Sequence, residues 1–359
     1  MPILSNKIDF NGQHVYVGFD VHLKSWKVTI MTEKLQHKTF TQPPKPEVLY
    51  QYLVRNFPGG TYHSAYEAGF CGYWIHNKLK CLGIDSIVVN PADIPTTGKE
   101  KIQKDDVRDS NKIARSLRNG DLVPIHVPAS STLEDRGLLR TRANLVQDLT
   151  RCKNRIKSFL YFRGIEFPES FRSPSTHWSN RFILWLEKIE LTDPSSKATL
   201  NVYLSQSRHL RSAILETTRI IRELSRNERY KSRQELLRTI PGIGYITAMT
   251  LLTELETIDR FATFDQLCGF VGLVPSTNSS GESESIGDLT PRGHSVLRSV
   301  LIESAWVAAR IDPALNKSYH DYCRRMEPNK AIIRIARKLL SRIRFVLKNN
   351  LPYEYSIIK

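Results

Sequence analysis

The stretch HVYVGFD at residues 14–20 is a short apolar run rich in β-branched residues, and it predicts the first strand of a sheet. Apolar and polar residues alternate over 25–32, which predicts an antiparallel partner strand, and 34–42 is expected to form a third strand. Further strands are predicted at 64–67 and 85–89, and helices at 46–57, 73–82 and 106–117. Three strands followed by strand–helix alternation predict a mixed sheet flanked by helices.

Beyond residue 130 the apolar residues recur at helical spacing, with breaks around 168–174 and 193–194. This pattern predicts long, paired helices in a coiled-coil-like arm, a kind of element that usually brings two chains together. The last region is expected to be compact and mostly helical, with a glycine-rich turn at 241–244 and a polar loop at 278–287. The predicted domains are therefore residues 1–130, 131–232 and 233–359.

The chain is strongly basic. Its 359 residues include 52 Lys and Arg against 36 Asp and Glu, a net charge of +16, and 40% are hydrophobic. This balance excludes wholesale disorder and favours a nucleic-acid partner, with a basic but otherwise ordinary enzyme as the alternative. No apolar run reaches the ~20 residues of a membrane span and the N-terminus has no signal-like stretch, so we expect a cytoplasmic, nucleoid-associated protein without a membrane partner.

The excess positive charge is concentrated in two segments. Residues 136–172 contain nine basic and three acidic side chains, and residues 310–348 contain eleven basic and three acidic ones. Clusters of this kind favour phosphate contacts, although a solvated face over a core is the alternative. The residues predicted to bind nucleic acid are Arg140, Arg142, Arg151, Lys153, Arg155, Lys157, Arg292, Arg298, Arg334, Arg337, Lys338 and Arg342. Three aromatic residues, Phe159, Tyr161 and Phe162, are expected to pack in a core rather than to stack on bases.

Carboxylates lie at the predicted strand ends. Asp20 ends the first strand and Glu67 ends a later one, so the two meet if these strands are neighbours. Asp106 and Asp109 are three residues apart on a predicted helix and share one face. Four converging carboxylates need cations between them, and Mg²⁺ prefers such oxygen ligands. Asp105 leaves the choice of residues open, because the segment could also be only a charged helix start.

Several motifs in this order resemble the IS one-ten family of bacterial insertion-sequence transposases, also called DEDD transposases. The N-terminal motifs are VGFDVH at 17–22, YEAG at 66–69, VNP at 89–91 and KDDVRD at 104–109. The C-terminal motifs are IPGIG at 240–244, GLVP at 272–275 and SG at 280–281. The resemblance implies an RNase H/RuvC-like mixed sheet flanked by helices, a long helical arm and a mostly helical C-terminal transposase domain.

The resemblance also implies site residues. The acidic tetrad of the family falls on Asp20, Glu67, Asp106 and Asp109, which leaves Asp105 as an extra acid. Its nucleophilic serine falls on Ser280, an assignment that depends on the Ser-Gly match because neighbouring serines crowd it. Ser110 stands where alanine is usual, and no consequence is expected. The implied cofactor of the tetrad is Mg²⁺, with Mn²⁺ as the alternative.

The activity implied by the resemblance is RNA-guided DNA transposition or recombination. Donor and target DNA would be cleaved and rejoined through a covalent phosphoserine–DNA intermediate, with a guide (bridge) RNA supplying sequence recognition. The implied assembly is a homo-oligomer, either a dimer or a dimer of dimers. The alternative function is a hydrolytic, structure-selective endonuclease of the RuvC type that uses the tetrad only.

Overall fold

The computed structural model describes residues 9–96, 105–280, 283–290 and 292–355, with the backbone alone for 276–280 and 283–288. The chain divides into two compact units, Met1–Val127 and Pro128–Lys359. No helix within the described ranges is both long enough and apolar enough to cross a membrane.

The first unit is built on a five-stranded sheet with the order β3-β2-β1-β4-β5. The strands are β1 (His14–Val21), β2 (Trp26–Thr32), β3 (Gln36–Gln42), β4 (Thr61–Glu67) and β5 (Asp85–Val89). β1, β2 and β3 pair antiparallel, whereas β1, β4 and β5 pair parallel. The helices are α1 (Pro46–Asn56), α2 (Trp74–Cys81) and α3 (Asp106–Asn119). The predicted mixed sheet flanked by helices is confirmed.

Alternate residues of β1 point to opposite faces of the sheet, as strand geometry requires. Val15, Val17 and Phe19 are fully buried in a core that they share with Leu53 of α1 and Leu79 of α2. The intervening residues of β1 face the other side, where α3 packs through Ile113 on Ala65 of β4. One face of β1 therefore builds the core, and the opposite face carries α3.

Gly18 sets how closely α3 approaches the sheet. A Cβ atom at residue 18 would lie 2.2 Å from the amide nitrogen of Ala114 and 2.4 Å from the carbonyl oxygen of Ser110. The backbone of α3 thus rests directly on the backbone of β1, which only glycine permits. The buried hydroxyl of Ser110 is also 2.9 Å from that of Thr29 on β2. No consequence is expected of a serine instead of alanine at residue 110. The structure differs, because the Ser110 hydroxyl helps to hold α3 against β2 while the backbone of α3 contacts β1.

The second unit is mostly helical, as predicted. Its first three helices are α4 (Ser130–Phe162), α5 (Asn180–Lys188) and α6 (Pro194–Leu224). The remaining elements are α7 (Glu228–Arg238), α8 (Tyr245–Leu255), α9 (Phe264–Val271), β6 (Pro275–Ser280), β7 (Ser283–Leu289), α10 (Ser295–Ile311), α11 (Pro313–Cys323) and α12 (Pro328–Asn349). The polar loop predicted at 278–287 is wrong, because β6 and β7 pair there as an antiparallel hairpin.

Two hydrophobic cores stabilise this unit. The distal parts of α4 and α6 form one with α5, through residues such as Ile156, Phe182 and Leu204. The larger core joins α7 to α12 and includes Leu139 and Ile221 from the other ends of α4 and α6. The predicted long helices of the arm therefore link the two cores.

The aromatic residues at the end of α4 do not all lie in the core. Phe159 packs against the distal core, as expected. Tyr161 is 65% exposed and Phe162 is 83% exposed. The expectation of core packing is wrong for these two residues because they lie in the last turn of α4, where their side chains project into solvent.

A Gly18→Ala substitution tests the contact between α3 and β1. The added methyl group collides with helix backbone, so we expect a loss of about 3 kcal/mol in the free energy of unfolding. Urea denaturation measures it. Gly137→Ala is the matched control, because nothing lies within 4 Å of a Cβ at that helical position. It should leave stability unchanged or raise it by up to about 1 kcal/mol, and a Gly18→Ala protein as stable as the parent would contradict the packing described.

Candidate active site

Asp20 and Glu67 lie at the carboxyl ends of two neighbouring parallel strands. Phe19 of β1 pairs with Tyr66 of β4, so each acid directly follows a paired residue. Strand alternation places Asp20 on the side of Gly18 and Glu67 on the side of Ala65, which is the α3 side in both cases. The sheet thus brings these two predicted site residues to one edge and one face.

The first turn of α3 supplies the other two acids. Asp105 precedes the helix, and its carboxylate accepts a hydrogen bond from the amide of Val107 at 3.2 Å. This N-cap starts the helix at Asp106 and places Asp106 and Asp109 in its first turn. The acid next to the tetrad therefore has a structural task, because it fixes where α3 begins.

His22 lies against the carboxylates of both Asp20 and Asp106. Its Nε2 atom is 3.2 Å from Oδ2 of Asp20 and 3.3 Å from Oδ2 of Asp106. One ligand atom from each of these three side chains lies within 4.8 Å of the others. His22 is not among the predicted site residues, although its position two residues after Asp20 is a signal in the sequence, since such spacing keeps side chains on one side of extended backbone.

Lys112 is a second residue that the sequence pattern does not reveal. Its buried side chain reaches Asp109, with Nζ 3.4 Å from Oδ1. The three-residue spacing on α3 brings the two groups together. A lysine therefore neutralises part of the charge of Asp109 from within the helix.

The electrostatics of the cluster fit a divalent cation. Burial raises the pKa of the Asp20 carboxyl above its ordinary value, His22 opposes that rise, and the carboxylates of Asp106 and Asp109 add to it. A cation between these carboxylates would remove the repulsion, and hard divalent ions prefer carboxylate oxygens. The donor set of Asp20, His22 and Asp106 thus suits a metal ion.

Ser280 is the last residue of β6, and Ser283 is its partner on β7. Its side chain lies outside the part of the chain that the structure describes, and so does Gly281 of the Ser-Gly motif.

At the base of this hairpin, the backbones of Gly272 and Gly293 are in contact, and their φ angles are +82° and +131°. A Cβ on Gly293 would lie 2.4 Å from the Cα of Gly272. The two ends of the hairpin are therefore held in backbone contact.

Arg298 ties the same two ends together. Its guanidinium donates hydrogen bonds to the carbonyl oxygens of Gly272, at 3.4 Å, and of Thr290, at 3.0 Å. Arg298 is among the predicted nucleic-acid ligands, and this inward contact gives its side chain a structural role. Arg292, also predicted, lies exposed near the same base.

The predicted basic residues of α4 divide into two groups. Arg140 and Arg142 are bonded to other helices of the same unit: Arg140 donates two hydrogen bonds of 2.8 and 2.9 Å to Glu254, and Arg142 donates one to the hydroxyl of Thr218 on α6. The members of the other group lie toward the far end of the helix and are exposed or half-buried, and they are Arg151, Lys153, Arg155 and Lys157. Arg140 remains half exposed despite its bonds to Glu254, and Arg151 of the second group pairs with Asp148 at 2.7 Å.

The predicted basic residues of α12 show the same division. Arg334 and Lys338 are exposed and lie beside the ring of Tyr322. Arg337 pairs with Asp265 of α9 at 2.7 Å, and Arg342 lies 3.8 Å from the buried Asp312. The opposite side of α12 is buried in the larger core, as predicted.

Glu254 is a buried carboxylate at the junction of α4, α8 and α10. Besides Arg140, it contacts Arg136 at 3.2 Å and the Nε2 atom of His294 at 3.0 Å. Nδ1 of His294 accepts a hydrogen bond from the amide of Leu297, so the ring proton lies on Nε2 and is donated to Glu254. Burial alone would raise the pKa of Glu254, but the bonds from His294 and Arg140 outweigh it and lower the pKa to about 2.

The five-stranded mixed sheet with its flanking helices is consistent with a RuvC-like DEDD domain. Comparison with protein families agrees with this class. A family model of DEDD transposases of the IS110 type matches residues 17–163, and a model described as the transposase IS116/IS110/IS902 family matches residues 234–320. DEDD transposase domains generally use a divalent metal.

Individual relatives lead to the same family. A putative transposase of Sinorhizobium fredii is 31% identical over 252 residues, which cover 70% of this chain and 60% of that protein. The transposase for insertion sequence element IS1533 of Leptospira borgpetersenii is 30% identical over 247 residues, which cover 67% of this chain and 70% of that protein. The chain belongs to the IS110 (IS one-ten) family of transposases.

A Glu254→Gln substitution tests the buried carboxylate. Because its folded pKa of about 2 lies below the ordinary 4.5, Glu254 contributes stability that is present above pH 4.5 and is lost as the pH falls toward 2. We expect the variant to be less stable at neutral pH by on the order of 3 kcal/mol. The difference from the parent should shrink below pH 4.5.

Urea unfolding followed by helical circular dichroism at several pH values measures this effect. Glu216→Gln is the control, because Glu216 is an exposed carboxylate that pairs with Arg219 on α6. Its unfolding curve should superimpose on that of the parent. A difference for Glu254→Gln that stays constant across the acidic range would show that its ionisation is not linked to folding.

Proposed function

We propose that this chain is an RNA-guided DNA transposase that cleaves and rejoins donor and target DNA. The observation that carries the proposal is the convergence of Asp20 and Asp106 on one face of a RuvC-like sheet, with Glu67 at the end of the neighbouring strand β4 and Asp109 in the same first turn of α3 as Asp106. Both family models span the proposed site residues, with the tetrad in the first match and Ser280 in the second. The alternative, a hydrolytic endonuclease that uses the tetrad only, is an outcome of the test below.

In the proposed reaction, Asp20, Glu67, Asp106 and Asp109 would hold Mg²⁺ or Mn²⁺, and the bound ion would polarise the scissile phosphate. The hydroxyl oxygen of Ser280 attacks the phosphorus, the Oγ–P bond forms and a bond from phosphorus to a DNA oxygen breaks. The serine proton is lost to a base, and the departing DNA oxygen takes up a proton, so the step balances. A DNA hydroxyl on the partner strand then attacks the phosphoserine, which releases Ser280 and rejoins the DNA.

The nucleic-acid surfaces proposed for this activity are basic and partly aromatic. Arg155 follows Arg151 by four residues and Phe162 follows Arg155 by seven, so all three lie on one exposed face of α4. The guanidinium of Arg163 lies 5.7 Å from the ring of Phe162. Basic side chains contact phosphates, and exposed rings stack on unpaired bases. In our proposal these contacts hold the RNA and DNA backbones, while base pairing by the guide RNA reads the sequence.

We further propose that the chain acts as a homo-oligomer, either a dimer or a dimer of dimers. The long α4–α6 pair supports this, because extended helical arms commonly bring chains together. In the same proposal residues 1–130 form the catalytic domain, 131–232 the arm for assembly and nucleic-acid binding, and 233–359 the transposase domain with the serine.

Trapping of a covalent adduct tests the reaction. The protein, expressed with its native flanking DNA so that any guide RNA is present, is incubated with labelled donor and target DNA and Mg²⁺, then quenched in denaturant. We expect a protein–DNA adduct that survives denaturation and is lost in both Ser280→Ala and Asp20→Ala. Ser279→Ala, the adjacent serine of β6, is the matched control and should retain the adduct.

Two other outcomes would contradict the proposal. Cleaved DNA without an adduct, unaffected by Ser280→Ala, would assign the chain to the hydrolytic endonucleases. An adduct retained in Ser280→Ala but lost in Ser279→Ala would move the nucleophile to the neighbouring residue.

Substitutions on α4 test the nucleic-acid surface. Arg155→Gln should lower the salt dependence of RNA binding by about one released counterion. Phe162→Ala should weaken binding of an unstructured RNA by about 1–3 kcal/mol at every salt concentration, because stacking is lost. Fluorescence anisotropy titrations of a labelled RNA at several salt concentrations measure both effects.

Each substitution has a control in the same unit. Arg219→Gln removes an exposed guanidinium that already pairs with Glu216 and Glu223. Leu184→Ala removes an exposed apolar side chain, 53% accessible, from α5. If Arg155→Gln and Phe162→Ala match these controls, the far end of α4 is not a nucleic-acid surface.

A further inference from the structure

The imidazole of His22 occupies a defined place between two carboxylates of the acidic cluster. Its Nε2 atom is nearly equidistant from Oδ2 of Asp20 and Oδ2 of Asp106, at 3.2 and 3.3 Å. The His22 side chain is half exposed, so the cluster lies at the surface of the first unit. We propose that His22 is a nitrogen ligand of the divalent cation and shifts the preference of the site from Mg²⁺ toward transition-metal ions such as Mn²⁺.

The distances fit one coordination sphere. Ligands at 2.0–2.1 Å in neighbouring positions of an octahedron are about 3 Å apart. The two observed nitrogen–oxygen separations of 3.2 and 3.3 Å are close to that edge. After a small adjustment, Nε2 of His22 could therefore bind one ion together with the oxygens of Asp20 and Asp106, all three atoms lying within 4.8 Å of one another.

The position of His22 in the chain supports a ligand role. It follows Asp20 by two residues, directly after β1 ends at Val21, and the antiparallel turn into β2 at Trp26 fixes that backbone. Asp106 is fixed independently by the N-cap of α3 and by the contact of that helix with Gly18. Two separately anchored elements thus bring the imidazole and both carboxylates to one point.

The chemical consequence concerns the choice of ion. Mg²⁺ strongly prefers oxygen ligands, whereas imidazole nitrogen is a good ligand for first-row transition-metal ions. A nitrogen ligand therefore costs Mg²⁺ more than it costs Mn²⁺. This inference rests on the proposed function of the acidic cluster, and it adds a ligand outside the four acids.

Electron paramagnetic resonance of the full-length protein with Mn²⁺ tests the assignment without any DNA reaction. We expect the pulsed spectrum of the bound ion to show coupling to a directly coordinated ¹⁴N nucleus, and this coupling to vanish in His22→Ala. Competition of Mg²⁺ against bound Mn²⁺ should show the preference for Mn²⁺ falling about tenfold in His22→Ala. The control is His37→Ala, which removes an exposed imidazole of β3 that bonds to Tyr52 of α1 and should change neither measurement.

His22→Asn keeps a side chain that can hydrogen-bond to the two carboxylates but removes the imidazole nitrogen. If His22 only positions Asp20 and Asp106, the parent will bind Mn²⁺ without ¹⁴N coupling and His22→Asn will retain the ion preference of the parent, and the ligand role is then wrong. If Mn²⁺ binding is absent, or is unaffected by Asp20→Asn, the acidic cluster itself is not the metal site. That result overturns the proposed metal chemistry together with the present inference, and it is distinguished from the first by the Asp20→Asn measurement.

Discussion

The contact of α3 with β1 at Gly18 is the constraint on which the acidic cluster depends. A helix on a sheet is normally held away by side chains, but here helix backbone lies against strand backbone, because a Cβ would be only 2.2 Å from the amide nitrogen of Ala114. The first turn of α3 is consequently brought down to the level where β1 ends. Asp106 can then contact His22, which lies two residues after Asp20 and contacts that carboxylate as well. The acidic cluster can form in this way only because residue 18 has no side chain.

The sequence predicts the first unit well because its signals are local. Alternation of apolar and polar residues marks the strands and helical spacing marks the helices, whereas the capping role of Asp105 is seen only in the structure. The sequence leaves open whether the strands that end in Asp20 and Glu67 are neighbours, and the structure shows that they are. The roles of Ser110 and His22 are not predictable in the same way. Ser110 bonds to Thr29, 81 residues away, and His22 bonds to Asp106 on another element, so both contacts depend on packing between distant segments.

In the second unit the limits of prediction have different causes. Residues 275–289 contain few apolar side chains, so the sequence predicts a loop there. The hairpin forms through hydrogen bonds between the two strands, which the sequence pattern does not indicate. Tyr161 and Phe162 are apolar, but the last turn of α4 extends past the core. Arg140 belongs to a basic cluster, yet it is bound to the buried Glu254 together with His294. Charge counted along a sequence does not separate side chains that face a partner from those that neutralise an internal carboxylate.

The base of the β6–β7 hairpin has a consequence for how this part of the protein can change during evolution. Gly272 and Gly293 exclude any side chain from the contact between its two ends, and Arg298 bonds to the backbone of both. These bonds involve backbone atoms, so they impose no requirement on the side chains of the strands themselves. Apart from Ser280, the proposed nucleophile, residues of β6 and β7 can therefore change while the base of the hairpin is kept by Gly272, Gly293 and Arg298. Gly272, Gly293 and Arg298 cannot be replaced in the same way, so sequence variation is expected in the strands rather than at the base of the hairpin.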